Sequence, residues 1–302
     1  MRQVDETRPF GRLLTAMVTP FGPDGGLDVA GAQRLATYLV DQQRHDGLVV
    51  NGTTGESAVT TDEEKDRLLR AVVEAVGDRA TIVAGAGTND TAHTVHLAQA
   101  AEKAGADGLL LVTPYYNRPP QAGLLAHFRA AADATGLPSM LYDIPARTGT
   151  PIRTETLLEL AEHPRIVAVK DAKGDFDGTS QVLARTSLAY YSGDDKVTLP
   201  LLSLGAVGVV GVPTHLVGAR TKDMITAYER GDGAAARAAH RSLYPAYTGF
   251  FRTQGAILAK AALRLAGLPG GPVRLPLVDA TPEELDTLRA DLAAGGVPVD
   301  GA

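Results

Sequence analysis

The chain contains no cysteine. Disulfides, thiol nucleophiles and thiolate metal sites are therefore excluded. Tryptophan is absent as well, and aromatic residues make up only 5% of the sequence. No basic block stands out and the formal net charge is −6, so a nucleic-acid partner is not expected. No apolar run reaches the length a membrane span requires. The first ten residues, MRQVDETRPF, are charged and lack the apolar core of a signal peptide. A soluble, cytoplasmic protein is the expectation.

Cofactor and metal signatures are also missing. There is no Walker loop and no GxGxxG motif. His93 and His96 share a helix face, but no third metal ligand accompanies them. Asp194 and Asp195 form an acidic pair with no histidine nearby in sequence. No metal and no organic cofactor is expected, and Gly85-Ala-Gly87 reads as a turn.

What the sequence does hold is a regular alternation. Of its 302 residues 44% are hydrophobic and 21% charged, a globular composition. Short apolar runs at 13–18, 47–50, 81–84, 108–112, 139–142, 166–170, 188–192 and 206–210 read as strands. Between them lie amphipathic stretches: 28–44 capped by Asp28, 62–76 opened by Thr61, 91–104, 121–135, 154–162, a helix within 176–185, 196–204, and one ending near 230. The strands are apolar on both faces, as a buried parallel sheet requires. Eight strand–helix units fit a closed (β/α)8 TIM barrel better than an open doubly wound sheet. After 230 the strand signal stops, and 231–251, 253–266 and 282–293 read as helices. The expected organisation is an α/β catalytic barrel over 1–230 with a C-terminal helical extension over 231–302.

In such a barrel the chemistry sits at the C-terminal ends of the strands. One strand there ends in Lys170, on the same face as Ile166 and Ala168 and hence inside the barrel mouth. Burial lowers a lysine pKa, and only the neutral amine attacks a carbonyl. A fall from the usual value near 10.4 to about 8 raises the neutral fraction at pH 7 roughly two hundredfold. The alternative is a strand-end lysine paired with Asp171. The second strand leads into Gly52-Thr53-Thr54-Gly55, whose backbone N–H groups and hydroxyls suit an anion pocket or a proton relay, or form an ordinary polar turn. With nine tyrosines in the chain, Tyr115, Tyr116 and Tyr142 all fall at strand ends. Each is a proton shuttle or an amphipathic packing residue. Arg147 could clamp a carboxylate in bidentate fashion, or form a surface salt bridge. Gly193 marks close backbone approach.

Taken together and in order, GTTGES from Gly52, TPYYNRP from Thr113, YDIPARTG from Tyr142, VKDA from Val169 and SGDD from Ser192 resemble the dihydrodipicolinate synthase family, in its actinobacterial form. The resemblance runs from Leu13 to about Arg274. It implies a class I aldolase-type lyase that condenses pyruvate with L-aspartate 4-semialdehyde, the committed step of lysine and diaminopimelate biosynthesis. It implies Lys170 as the Schiff-base lysine and Tyr142 as the general acid/base. Thr53 and Tyr116 would complete the relay, Tyr116 reaching into a neighbouring subunit. Thr54 would bind the pyruvate carboxylate, Arg147 the carboxylate of the second substrate, and Gly193 and Val210 would line the pyruvate pocket. It further implies a homotetramer, a dimer of dimers.

Two departures stand out. Asp62, Lys65 and His93 occupy positions where lysine-inhibited members carry other residues, so weak or no lysine feedback is expected. Gly211 stands where the family usually has serine, with Pro213 beyond it. Neighbouring readings are a lyase that joins pyruvate to sugar-like aldehydes, such as N-acetylneuraminate lyase, and a non-catalytic binder of pyruvate-like acids.

Overall fold

The computed structural model describes residues 7–297 and 299. The outer ends of the two expected segments, 1–6 and 298 with 300–302, lie outside the described residues. In chain order the elements are β1 (Leu13–Ala16), α1 (Val29–Asp41), β2 (Gly47–Val50), α2 (Asp62–Val76), β3 (Thr81–Gly85), α3 (Thr91–Lys103), β4 (Gly108–Val112), α4 (Gln121–Asp133) and β5 (Ser139–Asp143). There follow α5 (Pro145–Thr148), α6 (Thr154–Leu160), β6 (Ile166–Asp171), α7 (Phe176–Arg185), β7 (Ala189–Ser192), α8 (Thr198–Leu204), β8 (Gly208–Gly211) and α9 (Thr214–Glu229). Three further helices close the described chain: α10 (Gly233–Gly249), α11 (Gly255–Leu265) and α12 (Pro282–Ala294).

The eight strands form a closed barrel in sequential order. All pairings are parallel, and β1 completes the circle against β8. The apolar runs make this possible. Every residue of β1, β2, β5, β7 and β8 is buried, so both faces are covered, as parallel strands demand. Caps set the helix starts. The Asp28 side chain accepts from Gly31 N at α1, and Thr61 and Glu64 form a reciprocal capping box at α2.

One end of the barrel is plugged. Phe10 packs on Tyr191 with ring centroids 6.3 Å apart, and the Tyr191 hydroxyl donates to Gly11 O at 2.9 Å. A Cβ on Gly108, the first residue of β4, would strike Phe10, which puts this plug at the strands' N-terminal ends. The other end is left for loops and ligands.

The structure differs from the sequence reading in local ways. The helix α5 was not expected. It is four residues long, and its start is set by Pro145 at the first turn, which needs no backbone donor there. Gly85 is not part of a turn but the last residue of β3, where a side chain would collide with the Asn51 backbone. The expected strand at 206–210 runs instead from Gly208 to Gly211.

Candidate active site

The loops after β2, β4 and β5 surround a cleft of about 320 Å3. Its lining includes Thr53, Tyr115, Tyr142, Ile144, Arg147 and Leu277. Tyr142 and Lys170 are register partners on β5 and β6. Lys170 is 4% exposed, and its nitrogen lies 4.1 Å from the centroid of the Tyr142 ring. A pleated strand forces this meeting, because residues opposite one another on adjacent parallel strands point to the same face.

The electrostatics follow from burial. Desolvation lowers the Lys170 pKa to about 8; Asp195 pulls it up and Arg147 pushes it down by lesser amounts. At pH 7 such an amine is neutral in roughly one molecule in ten. Desolvation raises the Tyr142 phenol to about 12, against a smaller opposing effect of Arg147. The phenol thus holds its proton at neutral pH and can donate it.

Asp171 is no partner for Lys170. Its carboxylate accepts from Lys173 N, Gly174 N and the Thr179 hydroxyl, all on its own side of the strand end. The acid that Lys170 feels is Asp195, wholly buried at the end of β7. One Asp195 oxygen accepts from Val212 N at 3.2 Å, and the other has no hydrogen-bond partner among the described residues. Burial raises this carboxyl to about 7. Gly211 gives it room, since a Cβ there would collide with the unpartnered Asp195 oxygen.

Arg147 lies on α5 at the rim, lines the cleft and makes no ion pair among the described residues. Thr53 lines the cleft and is half-buried; Thr54 is buried beside it but is not part of the lining. Gly193 follows β7, its N–H donating to Asp171 O at 2.7 Å, and Val210 is buried on β8 beside Leu14. Neither reaches the cleft lining. Tyr116 is 91% exposed, with a positive φ of 74°, and turns out of this chain's cleft. Its neighbour Tyr115 lines the cleft instead.

Sequence reasoning missed several lining residues. Gln254, Pro276 and Leu277 come from the C-terminal segment, more than a hundred residues from the strand ends they face. Gly85 and Gly87 also border the cleft, and a Cβ on either would strike backbone, that of Asn51 and that of Val112 respectively. A strand-end glycine was the available signal there. No group of three or more His, Cys, Asp or Glu side chains suited to a metal occurs among the described residues.

A closed (β/α)8 barrel with a desolvated lysine and tyrosine side by side at strand ends has the architecture of the lysine-dependent aldolases. The family model described as the dihydrodipicolinate synthetase family matches residues 9–295, and the chain belongs to that family. It is 74% identical over 288 residues to a 4-hydroxy-tetrahydrodipicolinate synthase of Acidothermus cellulolyticus, covering 95% of this chain and 93% of the relative. It is 62% identical over 289 residues to 4-hydroxy-tetrahydrodipicolinate synthase 2 of Streptomyces coelicolor, covering 96% of each. The fold matches the crystal structure of DHDPS from Cyanidioschyzon merolae with lysine bound, with a TM-score of 0.93 and 44% identity over 95% of this chain and 99% of that one.

Proposed function

We propose that this chain is a lyase that condenses pyruvate with L-aspartate 4-semialdehyde to give 4-hydroxy-tetrahydrodipicolinate, through an imine on Lys170. The observation that carries the reading is the desolvated Lys170 amine 4.1 Å from the centroid of the Tyr142 ring. Relatives at 74% and 62% identity that bear the name 4-hydroxy-tetrahydrodipicolinate synthase support it.

The chemistry runs as follows. The neutral Lys170 amine adds to the pyruvate ketone, and the resulting carbinolamine loses water to leave a protonated imine. Tyr142, a phenol protonated at neutral pH, supplies the proton that the leaving hydroxyl takes and recovers one in later steps. The imine withdraws electrons, so a methyl proton leaves and an enamine forms. The enamine carbon attacks the aldehyde carbon of the second substrate, whose oxygen becomes a hydroxyl. The substrate's own amine then attacks the imine carbon, closes a six-membered ring and releases Lys170. The route needs no metal and no organic cofactor.

The remaining roles complete the proposal. Thr53 relays protons to Tyr142, and Thr54 holds the pyruvate carboxylate. Arg147 clamps the carboxylate of the semialdehyde, while Gly193 and Val210 shape the pyruvate end of the site. Tyr116, 91% exposed here, serves the site of an adjoining subunit in a homotetramer arranged as a dimer of dimers. Residues 1–230 act as the catalytic barrel and 231–302 as its helical appendage. The enzyme works in the cytoplasm; no helix of the described residues is long and apolar enough to cross a membrane.

The test is turnover with pyruvate and aspartate semialdehyde, run beside Lys170→Ala. Turnover by the wild type and none by the variant is expected. Turnover with sugar-like aldehydes but not with the semialdehyde would move the chain to the sugar-acid lyases.

A further inference from the structure

We infer that Lys260, on α11 of the C-terminal segment, is a positioning residue: its buried ion pair with Glu56 fixes the loop that carries Thr53 and Thr54. The inference rests on the imine-forming reading of the site.

The Lys260 nitrogen lies 2.5 Å from Glu56 Oε1, with side chains 0% and 1% exposed. The same nitrogen donates to Pro272 O at 2.7 Å and sits 4.1 Å from the centroid of the Phe21 ring. Arg274 covers Phe21 as well, its guanidinium carbon 4.0 Å from the centroid. The backbone N–H of Arg274 donates to Glu56 Oε2 at 2.9 Å, so both carboxylate oxygens of Glu56 face the C-terminal segment. The Arg274 side chain continues to Val59 O, to Gly25 O and to Glu64, the residue that closes the capping box of α2. One segment thus grips the start of α2, the turn after β1 and the loop after β2.

Glu56 is an improbable residue for its place unless something holds it there. Its φ is +55°, in the left-handed region that non-glycine residues enter at a cost. Its own N–H donates to Thr53 O at 3.1 Å, and the preceding Gly55 O accepts from the Thr19 hydroxyl at 2.6 Å. These short links tie the Glu56 backbone directly to Thr53. A Glu56 carboxyl stripped of Lys260 would be left desolvated with only the Arg274 N–H to satisfy it, and the loop would have to move to wet it. Thr53 moves with it. Gln254, Pro276 and Leu277 from the same segment line the cleft, so the segment builds the site as well as bracing it. The Lys260 amine is itself held in the pair, the carbonyl bond and the ring contact, which leaves it no free approach to a carbonyl substrate.

The test is the rate at which pyruvate is captured. Enzyme and pyruvate are mixed, quenched with borohydride at set times, and the mass of the Lys170 peptide is followed. Lys260→Met, Glu56→Gln, the double variant and Lys260→Arg are compared with Leu288→Ala, which opens the core under α12 away from the cleft. All are read at a temperature where thermal melts show them folded. At least a tenfold slowing is expected in each single variant, no further slowing in the double variant, and substantial recovery in Lys260→Arg. Leu288→Ala should melt earlier and trap pyruvate at the wild-type rate. Wild-type trapping in Lys260→Met and Glu56→Gln would overturn the inference, as would equal slowing in Leu288→Ala. Should Lys260→Met not fold, Glu56→Gln against Leu288→Ala decides. A wild type that traps no pyruvate would overturn the imine-forming reading, and this inference with it.

Discussion

The unpartnered carboxylate oxygen of Asp195 occupies the space where a side chain on residue 211 would begin, so in this chain Gly211 leaves the buried acid its place. That acid is also the largest electrostatic influence on Lys170 after burial itself. It raises the Lys170 pKa and so holds back the neutral amine. Capture of pyruvate should therefore rise with pH up to about 8 and level off above, because Lys170 loses its proton there. Asp195→Asn removes the charge that favours the ammonium. The midpoint of the pH profile should then move below 8; an unmoved midpoint would show the two groups to be uncoupled.

The same relationship predicts the effect of filling position 211. Gly211→Ala should displace the Asp195 carboxylate and disturb its bond from Val212 N. A lower melting temperature together with a shifted pH midpoint is expected. A variant with wild-type stability and profile would show that Asp195 has free space to turn into.

Tyr142→Phe keeps the ring beside Lys170 and removes only the hydroxyl that carries the proton. Turnover should fall by about a hundredfold or more, the usual scale of a lost general acid. Imine trapping should slow with it, while the fold, read by its melt, stays intact. Unchanged turnover would remove Tyr142 from the proton path.

Arg147 has no ion-pair partner among the described residues, so its removal leaves no orphaned carboxylate behind. Arg147→Ala should raise the KM for aspartate semialdehyde by roughly 10- to 100-fold, the worth of a charge-assisted bond. The KM for pyruvate should stay near the wild-type value. Steady-state kinetics with each substrate varied in turn will separate the two.

Weak or absent inhibition by lysine is a fifth expectation. Asp62 and His93 face each other at 2.9 Å, and the Lys65 ammonium donates to Thr60 O at 2.5 Å. Side chains already engaged in this way offer little to an incoming amino acid. Strong inhibition at millimolar lysine in the turnover assay would contradict this.

The barrel was legible because its signals are local. Asp28 and Thr61 cap the helices they were expected to cap, and the strands at 47–50 and 108–112 have the expected bounds. The resemblance implied that Tyr142 serves Lys170; the register that sets the two side by side is a feature of the folded barrel. What escaped the sequence depends on distance along the chain. Lys260 reads as an ordinary helix lysine, yet burial lowers its pKa to about 8, as it does for Lys170. Only tertiary packing reveals that Glu56 holds it, and only packing brings Leu277 to the cleft. Asp195 was visible as half of an acidic pair, but its burial was not, because a turn of two aspartates reads as solvated surface.

The two lysines also frame the decisive measurement. Enzyme incubated with pyruvate is reduced with borohydride, digested, and its peptides weighed. The account predicts one added pyruvate-derived mass, on the peptide that contains Lys170, and none on the peptide that contains Lys260. No adduct at Lys170, or an adduct confined to another lysine, would contradict it.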